Sequence, residues 1–138
     1  MKVSAGIIIK WRNKILLCHP TGKSWINTYT PPKGGVNPGE TIRDAAIRET
    51  LEETGIKINV EQLEGEPILI EYHSDKNKIY KNVWLYTLVI QELAEIGLSS
   101  AVVPKEQLQK EELDWAGFLT QEEAHEKLFW RYNNIYSI

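Results

Sequence analysis

The chain has a single cysteine, Cys18, which leaves no disulfide framework and no cysteine metal cluster and makes a reducing compartment, the cytoplasm, its simplest home. It has no surplus of positive charge. Sixteen lysines and arginines stand against 19 aspartates and glutamates, and a net charge of -3 argues against general binding to nucleic acid or to a membrane surface. Histidine is scarce, and His19, His73 and His125 show no ligand spacing. Long hydrophobic runs are missing too. The stretch from Val3 to Ile9 is soon interrupted by Lys10, Trp11 and Arg12, too short and too early charged for a signal peptide or a membrane span. No internal repeat or linker divides the chain. What remains is ordinary globular usage, 42% hydrophobic and 25% charged over 138 residues, so one domain over residues 1–138 with one proper core is expected.

The most informative stretch runs from Gly34 to Ile56. Pro31, Pro32, Gly34, Gly35, Pro38 and Gly39 mark a loop, and a helix should begin just after it. Thr41 with Asp44 three residues on has the layout of a capping box, and Gly55 is placed to end the helix as a left-handed cap. At about 100° per residue Glu49, Glu52 and Glu53 share one stripe of that helix. Like charges at this spacing cost about 0.2–0.5 kcal/mol per pair, and Arg48 can offset only part of that. A hard divalent cation bound through carboxylate oxygens would offset the rest. The alternative is a solvated acidic face. Against it, Ala45 and Ala46 lie along the glutamate stripe while Ile47 and Leu51 lie opposite, so the helix is not divided into one wet and one dry half.

These residues resemble the Nudix box: Gly, five residues, Glu, seven residues, Arg-Glu, an aliphatic residue, any residue, Glu-Glu, any residue, Gly, aliphatic. Gly34, Glu40, Arg48, Glu49, Glu52, Glu53, Gly55 and Ile56 all match, and Thr50 stands where an aliphatic residue is usual. The resemblance implies an α/β/α sandwich with a mixed sheet between helices, and divalent-metal-dependent attack of water on a phosphorus of a nucleoside diphosphate linked to another group. Magnesium is the implied ion, with manganese as an alternative. Carried over, Glu49, Glu52, Glu53 and Arg48 form the candidate catalytic set. Glu52 and Glu53 would be metal ligands, Glu49 a further ligand or the base, and the Lys33 carbonyl an additional ligand. Glu40 and Arg48 would pair to hold the loop against the helix. The family often recruits one more carboxylate from outside the box; Glu112 is the first candidate and Glu111 the second.

Elsewhere the pattern reads as β structure. Val3–Ile9 and Lys14–Cys18 make a hairpin around Arg12-Asn13, residues 19–29 a loop forming one wall of a pocket, and Lys57–Gln62 a short strand. Pro67–His73 and Ile79–Ile90 make a second hairpin. The region from Gln91 to Gln109 is irregular, Glu111–Leu119 is a final strand, and a last helix begins at Thr120 with Ala124, Leu128 and Phe129 inward. Strand order is left open by periodicity.

Substrate is the thinnest reading. Thr30-Pro31-Pro32-Lys33-Gly34 and Lys81-Asn82-Val83 resemble segments of diadenosine tetraphosphate hydrolases, although Leu85 stands where they usually have a tyrosine. The box opening from Gly34 to Glu40 is similar to that of bacterial RNA pyrophosphohydrolases. Both act on a polyphosphate attached to a nucleoside, so the expected partner is a small nucleotide or an RNA 5′ end, with oxidised nucleotides such as 8-oxo-dGTP as a further class. Lys33 and Lys81 are the candidate phosphate contacts. Tyr29, Tyr72, Tyr80 and Trp84 are candidates for base stacking, with Tyr80 favoured beside Lys81 and core packing favoured for Trp84 and Tyr86. A non-catalytic nucleotide-binding domain is the rival class; loss of a box glutamate would mark it, and none is lost.

Overall fold

The first strand sets the layers. In the computed structural model, which describes all 138 residues, β1 runs from Lys2 to Trp11, and its apolar side chains alternate between two cores. Ile7, Ile9 and Trp11 enter one, and Ile8 the other. Arg12, at a positive φ of 59°, turns the chain into β2 (Lys14–Pro20). This hairpin pairs only beside its turn, Lys10 with Ile15 and Trp11 with Lys14. Farther along, the same edge of β1 is taken by β3 (Lys33–Gly35), opposite Ser4, Ala5 and Gly6, so the expected loop before the helix contains a short strand.

The second hairpin forms as expected, from β4 (Ile68–His73) and β5 (Ile79–Ile90), and β5 runs parallel to β1 from Lys2–Lys81 to Trp11–Ile90. With β6 (Leu113–Thr120) on β2, the mixed sheet reads β4-β5-β1-β2-β6. Helix α1 (Ile42–Thr54) is bounded as the sequence indicates. The Thr41 hydroxyl accepts the Asp44 N–H at 3.0 Å, and Gly55 closes the helix at φ 73°. Its buried face is made of small residues, Ala45, Ala46, Thr50 and Thr54, which bring the helix axis close to the sheet. Thr50 is fully buried, and its hydroxyl donates to the Ala46 carbonyl at 2.8 Å, so its departure from the box pattern leaves no polar atom unpaired.

Two expectations fail. Lys57–Gln62 is not a strand: Ile56 and Ile58 alternate inward, but no neighbour pairs with them, and Val60–Gln62 winds into a 3-10 turn whose Gln62 side chain accepts the Asn59 N–H. The last helix, α2, is a single turn, Gln121–Ala124, capped by Thr120 and Glu123. Beyond it the chain continues through 3-10 turns at Trp130–Tyr132 and Ile135–Ser137. These turns still cover the second face of the sheet, where fully buried Tyr132 and Ile135 pack with Leu128, Ile8, Val83 and Leu85. The irregular region from Gln91 to Gln109 holds two further 3-10 turns. No helix is long and apolar enough to cross a membrane.

Candidate active site

A cleft of about 420 Å3 opens where α1, β3 and the N-terminal end of β1 meet, and no hydrophobic residue lines it. Its lining includes Glu49, Glu52, Glu53 and Glu112 together with Lys33 and Lys81. The loop-to-helix stretch and two distant segments are thus brought to one place. Glu112 is in the cleft and Glu111 is not, which separates the two outside candidates. Gly34, Gly35, Ser4 and Gln109 complete the lining, and Ser4 and Gln109 were not identified from the sequence. Ser4 had a signal: a polar residue inside an apolar strand run.

Arg48 is the hub of the acidic residues. Its Nε and Nη2 grip both oxygens of Glu40 at 2.7 and 2.9 Å, and Nη2 also reaches the Gly35 carbonyl at 2.8 Å. The loop is therefore tied to the helix through the expected pair. Nη1 donates to Glu49 at 2.8 Å and to Glu52 at 3.2 Å. Hydrogen bonding by Arg48 holds the Glu40 carboxyl down at about 2. Glu53 is beyond the guanidinium and accepts instead the backbone N–H of Lys33 at 3.2 Å. Burial pushes its carboxyl up to about 7; the Lys33 N–H opposes this, and the charges of Glu49 and Glu112 add to it.

Backbone proximity fixes these positions. A Cβ on Gly6 would stand 2.2 Å from the Pro32 carbonyl oxygen and 2.7 Å from the Lys33 Cβ, and one on Gly34 would lie 2.1 Å from the Glu49 carboxylate. Gly6 is a positioning residue that sequence reasoning missed; a lone glycine in an apolar strand was the available signal.

Lys81 is likewise pushed toward its neutral form. Burial, followed by the nearby ammonium of Lys33, pushes Lys81 down to about 8. Two lysines crowded at a cleft call for an anion, and four carboxylates beside a single guanidinium call for a cation. The donor set is hard oxygen throughout, which suits magnesium or manganese. As they stand the carboxylates do not converge on one point, and Glu49 and Glu52 are turned to Arg48.

Other expected residues fall elsewhere. Tyr29 is only 3% exposed, packed against His19 and Trp115 within the second core, so its reading as a base-stacking residue is corrected to core packing. Its loop does not line the cleft. Thr21 instead donates its N–H to the Glu112 carbonyl at 2.9 Å, steadying the segment that carries Glu112. Tyr86 is buried as expected, while Tyr80 is 47% exposed.

A family model described as NUDIX domain matches residues 1–137. The asymmetrical bis(5'-nucleosyl)-tetraphosphatase of Mus musculus is 59% identical over 32 residues, 23% of this chain and 22% of that protein. The RNA pyrophosphohydrolase of a Sulfurovum species is 38% identical over 86 residues, 57% of this chain and 54% of that protein. The matched stretches thus span 22% and 54% of these curated relatives' own lengths. A solved structure titled as a binary complex of a C. elegans Ap4A hydrolase superposes with a TM-score of 0.66 at 26% identity, covering 99% of this chain and 93% of that one.

Proposed function

The chain belongs to the NUDIX family, and from that premise we propose that it hydrolyses a phosphoanhydride bond in a nucleoside or dinucleoside polyphosphate, by attack of water on phosphorus with a divalent cation bound. The observation that carries this reading is the mixed lining of the cleft, where Glu49, Glu52, Glu53 and Glu112 share one space with Lys33 and Lys81 and no hydrophobic residue takes part. A polyphosphate with its cation has the complementary pattern of charge.

In this reading Glu52 and Glu53 hold the ion, with Glu49, Glu112 and the Lys33 carbonyl as further candidate ligands. When bound, magnesium supplies charge neutralisation on the phosphate oxygens and a polarised water. Lys33 and Lys81 take the phosphate oxygens of the group being cleaved or released. Glu49, held by Arg48 at 2.8 Å, is either a further ligand or the base that takes a proton from water. Arg48 keeps Glu40 and Gly35 in place, and so holds the loop that presents Lys33. The matched stretch of the Mus musculus tetraphosphatase and the resemblance at Thr30–Gly34 support a dinucleoside polyphosphate. The longer match to the Sulfurovum RNA pyrophosphohydrolase supports an RNA 5′ end as the second reading.

The test is magnesium-dependent turnover of diadenosine tetraphosphate, nucleoside triphosphates, 8-oxo-dGTP, ADP-ribose and 5′-triphosphate RNA by the wild type and Glu53→Gln. Cleavage of one class is expected, reduced about a hundredfold or more in Glu53→Gln. A wild type that binds a nucleotide tightly and cleaves none with magnesium or manganese would replace the enzyme with a nucleotide-binding domain.

A further inference from the structure

The segment that brings Glu112 to the cleft has little apolar anchorage of its own. Leu108 and Leu113 are buried, but Gln109, Lys110, Glu111 and Glu112 between them are exposed. They form a turn closed on one carbonyl: the N–H groups of Glu112 and Leu113 both donate to the Gln109 oxygen at 2.8 Å. An exposed turn of this kind keeps one place against the rest of the protein only if hydrogen bonds tie it down. Two sets do so, one on each side.

The first set uses the end of α1. The last carbonyls of a helix have no partner within it. Here the Gln109 N–H donates to the Glu53 carbonyl at 3.0 Å, and the Gln107 side-chain amide donates to the Thr54 carbonyl at 3.1 Å. Gly55 makes the room, since a Cβ there would stand 2.9 Å from the Gln107 Cβ. The turn is therefore joined to the backbone of Glu53 itself. The second set comes from the loop after β2. Pairing of β2 with β6 passes from His19–Trp115 to Pro20–Leu113, which leaves Asp114 as the extra residue of a bulge, and Pro20 has no N–H to carry the ladder on. Thr21 does so instead. Its N–H donates to the Glu112 carbonyl at 2.9 Å and its hydroxyl to the Lys110 carbonyl at 2.7 Å. The loop that bears Thr21 is itself held: buried His19 meets Asp114 through Nδ1 at 2.5 Å, and its Nε2 faces the carbonyls of Lys23 and Ser24 at 3.1 and 3.0 Å.

We infer that Thr21 and Gln107 are positioning residues for cation binding: together they hold the Glu112 turn against the end of α1, so that Glu112 acts on the ion that Glu52 and Glu53 take. The inference rests on the metal-binding part of the proposed function and does not need turnover. Neither side chain lines the cleft, so neither touches the ion or the substrate. What each contributes reaches the cleft through the backbone that carries Glu112.

The experiment is manganese binding to the full chain without nucleotide, read from the electron paramagnetic resonance signal of the free ion. Glu112→Gln is expected to weaken binding about tenfold, and Thr21→Val, which removes the hydroxyl at nearly constant shape on an exposed residue, about threefold or more. Gln107→Met should act as Thr21→Val does, and Thr21→Ser should bind as wild type. The deciding comparison is the double variant. In the Glu112→Gln background Thr21→Val should weaken manganese no further, because the side chain it acts through has gone. An equal loss in both backgrounds would make Thr21 a general structural residue and overturn the inference. So would an unchanged affinity in Glu112→Gln, an unchanged affinity in Thr21→Val and Gln107→Met, or a Thr21→Ser as weak as Thr21→Val. If Glu53→Gln abolishes manganese binding while these variants leave it unmoved, the inference fails alone. A chain that passes this test and cleaves no polyphosphate keeps the inference and loses the hydrolase reading.

Discussion

Glu40 shows how a single ion pair ties the loop to the helix that follows it. Its bidentate grip on Arg48 lowers its folded pKa from the usual 4.5 to about 2. The sign follows by linkage: a carboxyl depressed in the folded state contributes stability above its unfolded pKa and loses it as pH falls through the folded value. Melting temperature should therefore fall between about pH 4.5 and pH 2, and Glu40→Gln should melt lower at neutral pH and show a smaller loss over that window. A wild type and variant with the same pH profile would show that the pair contributes nothing measurable. At this scale the sequence was most legible inside the box, because residues three and four apart on a helix must be neighbours. It was least legible for Tyr29. A tyrosine beside a loop suits a binding wall and a core equally, and only the packing of Trp115 and His19 around it decides.

Between elements, the contact that decides the site is the approach of β3 to β1. Lys33 and Gly34 present the backbone N–H that holds Glu53 and the space that holds Glu49, and β3 can do this only because Gly6 lacks a side chain. Gly6→Ala forces a methyl onto the Pro32 carbonyl and is expected to cost about 1–3 kcal/mol in chemical denaturation. It should also weaken manganese binding by the folded protein. Unchanged stability and unchanged manganese affinity together would show that β3 has room to spare. Helix α1 was readable to its ends, since both caps are local chemistry. Ile56 and Ile58 were misread because alternation reports burial, and a strand also needs a partner to pair with. The last helix was overextended for a related reason: Leu128 faces inward as a helical residue would, but it does so from a chain that has already left the helix.

Across the whole molecule, strand order turns local motifs into a site. The parallel pairing of β1 with β5 brings Lys81 and Ser4 to the box helix, and the segment before β6 delivers Glu112 from the far end of the chain. None of these placements could be read from periodicity, because they are long-range pairings; Glu49, Glu52 and Glu53 followed from helical spacing, while Glu112, Lys33 and Lys81 were identified only through the resemblance. The central claim is that this assembled cleft directs water to phosphorus. The most direct measurement is a single turnover of diadenosine tetraphosphate in oxygen-18 water with magnesium, with the products read by mass spectrometry. One labelled oxygen is expected in one phosphate-bearing product, formed by the wild type and lost in Glu53→Gln. Unlabelled products, or labelled products formed equally well by Glu53→Gln, would contradict it.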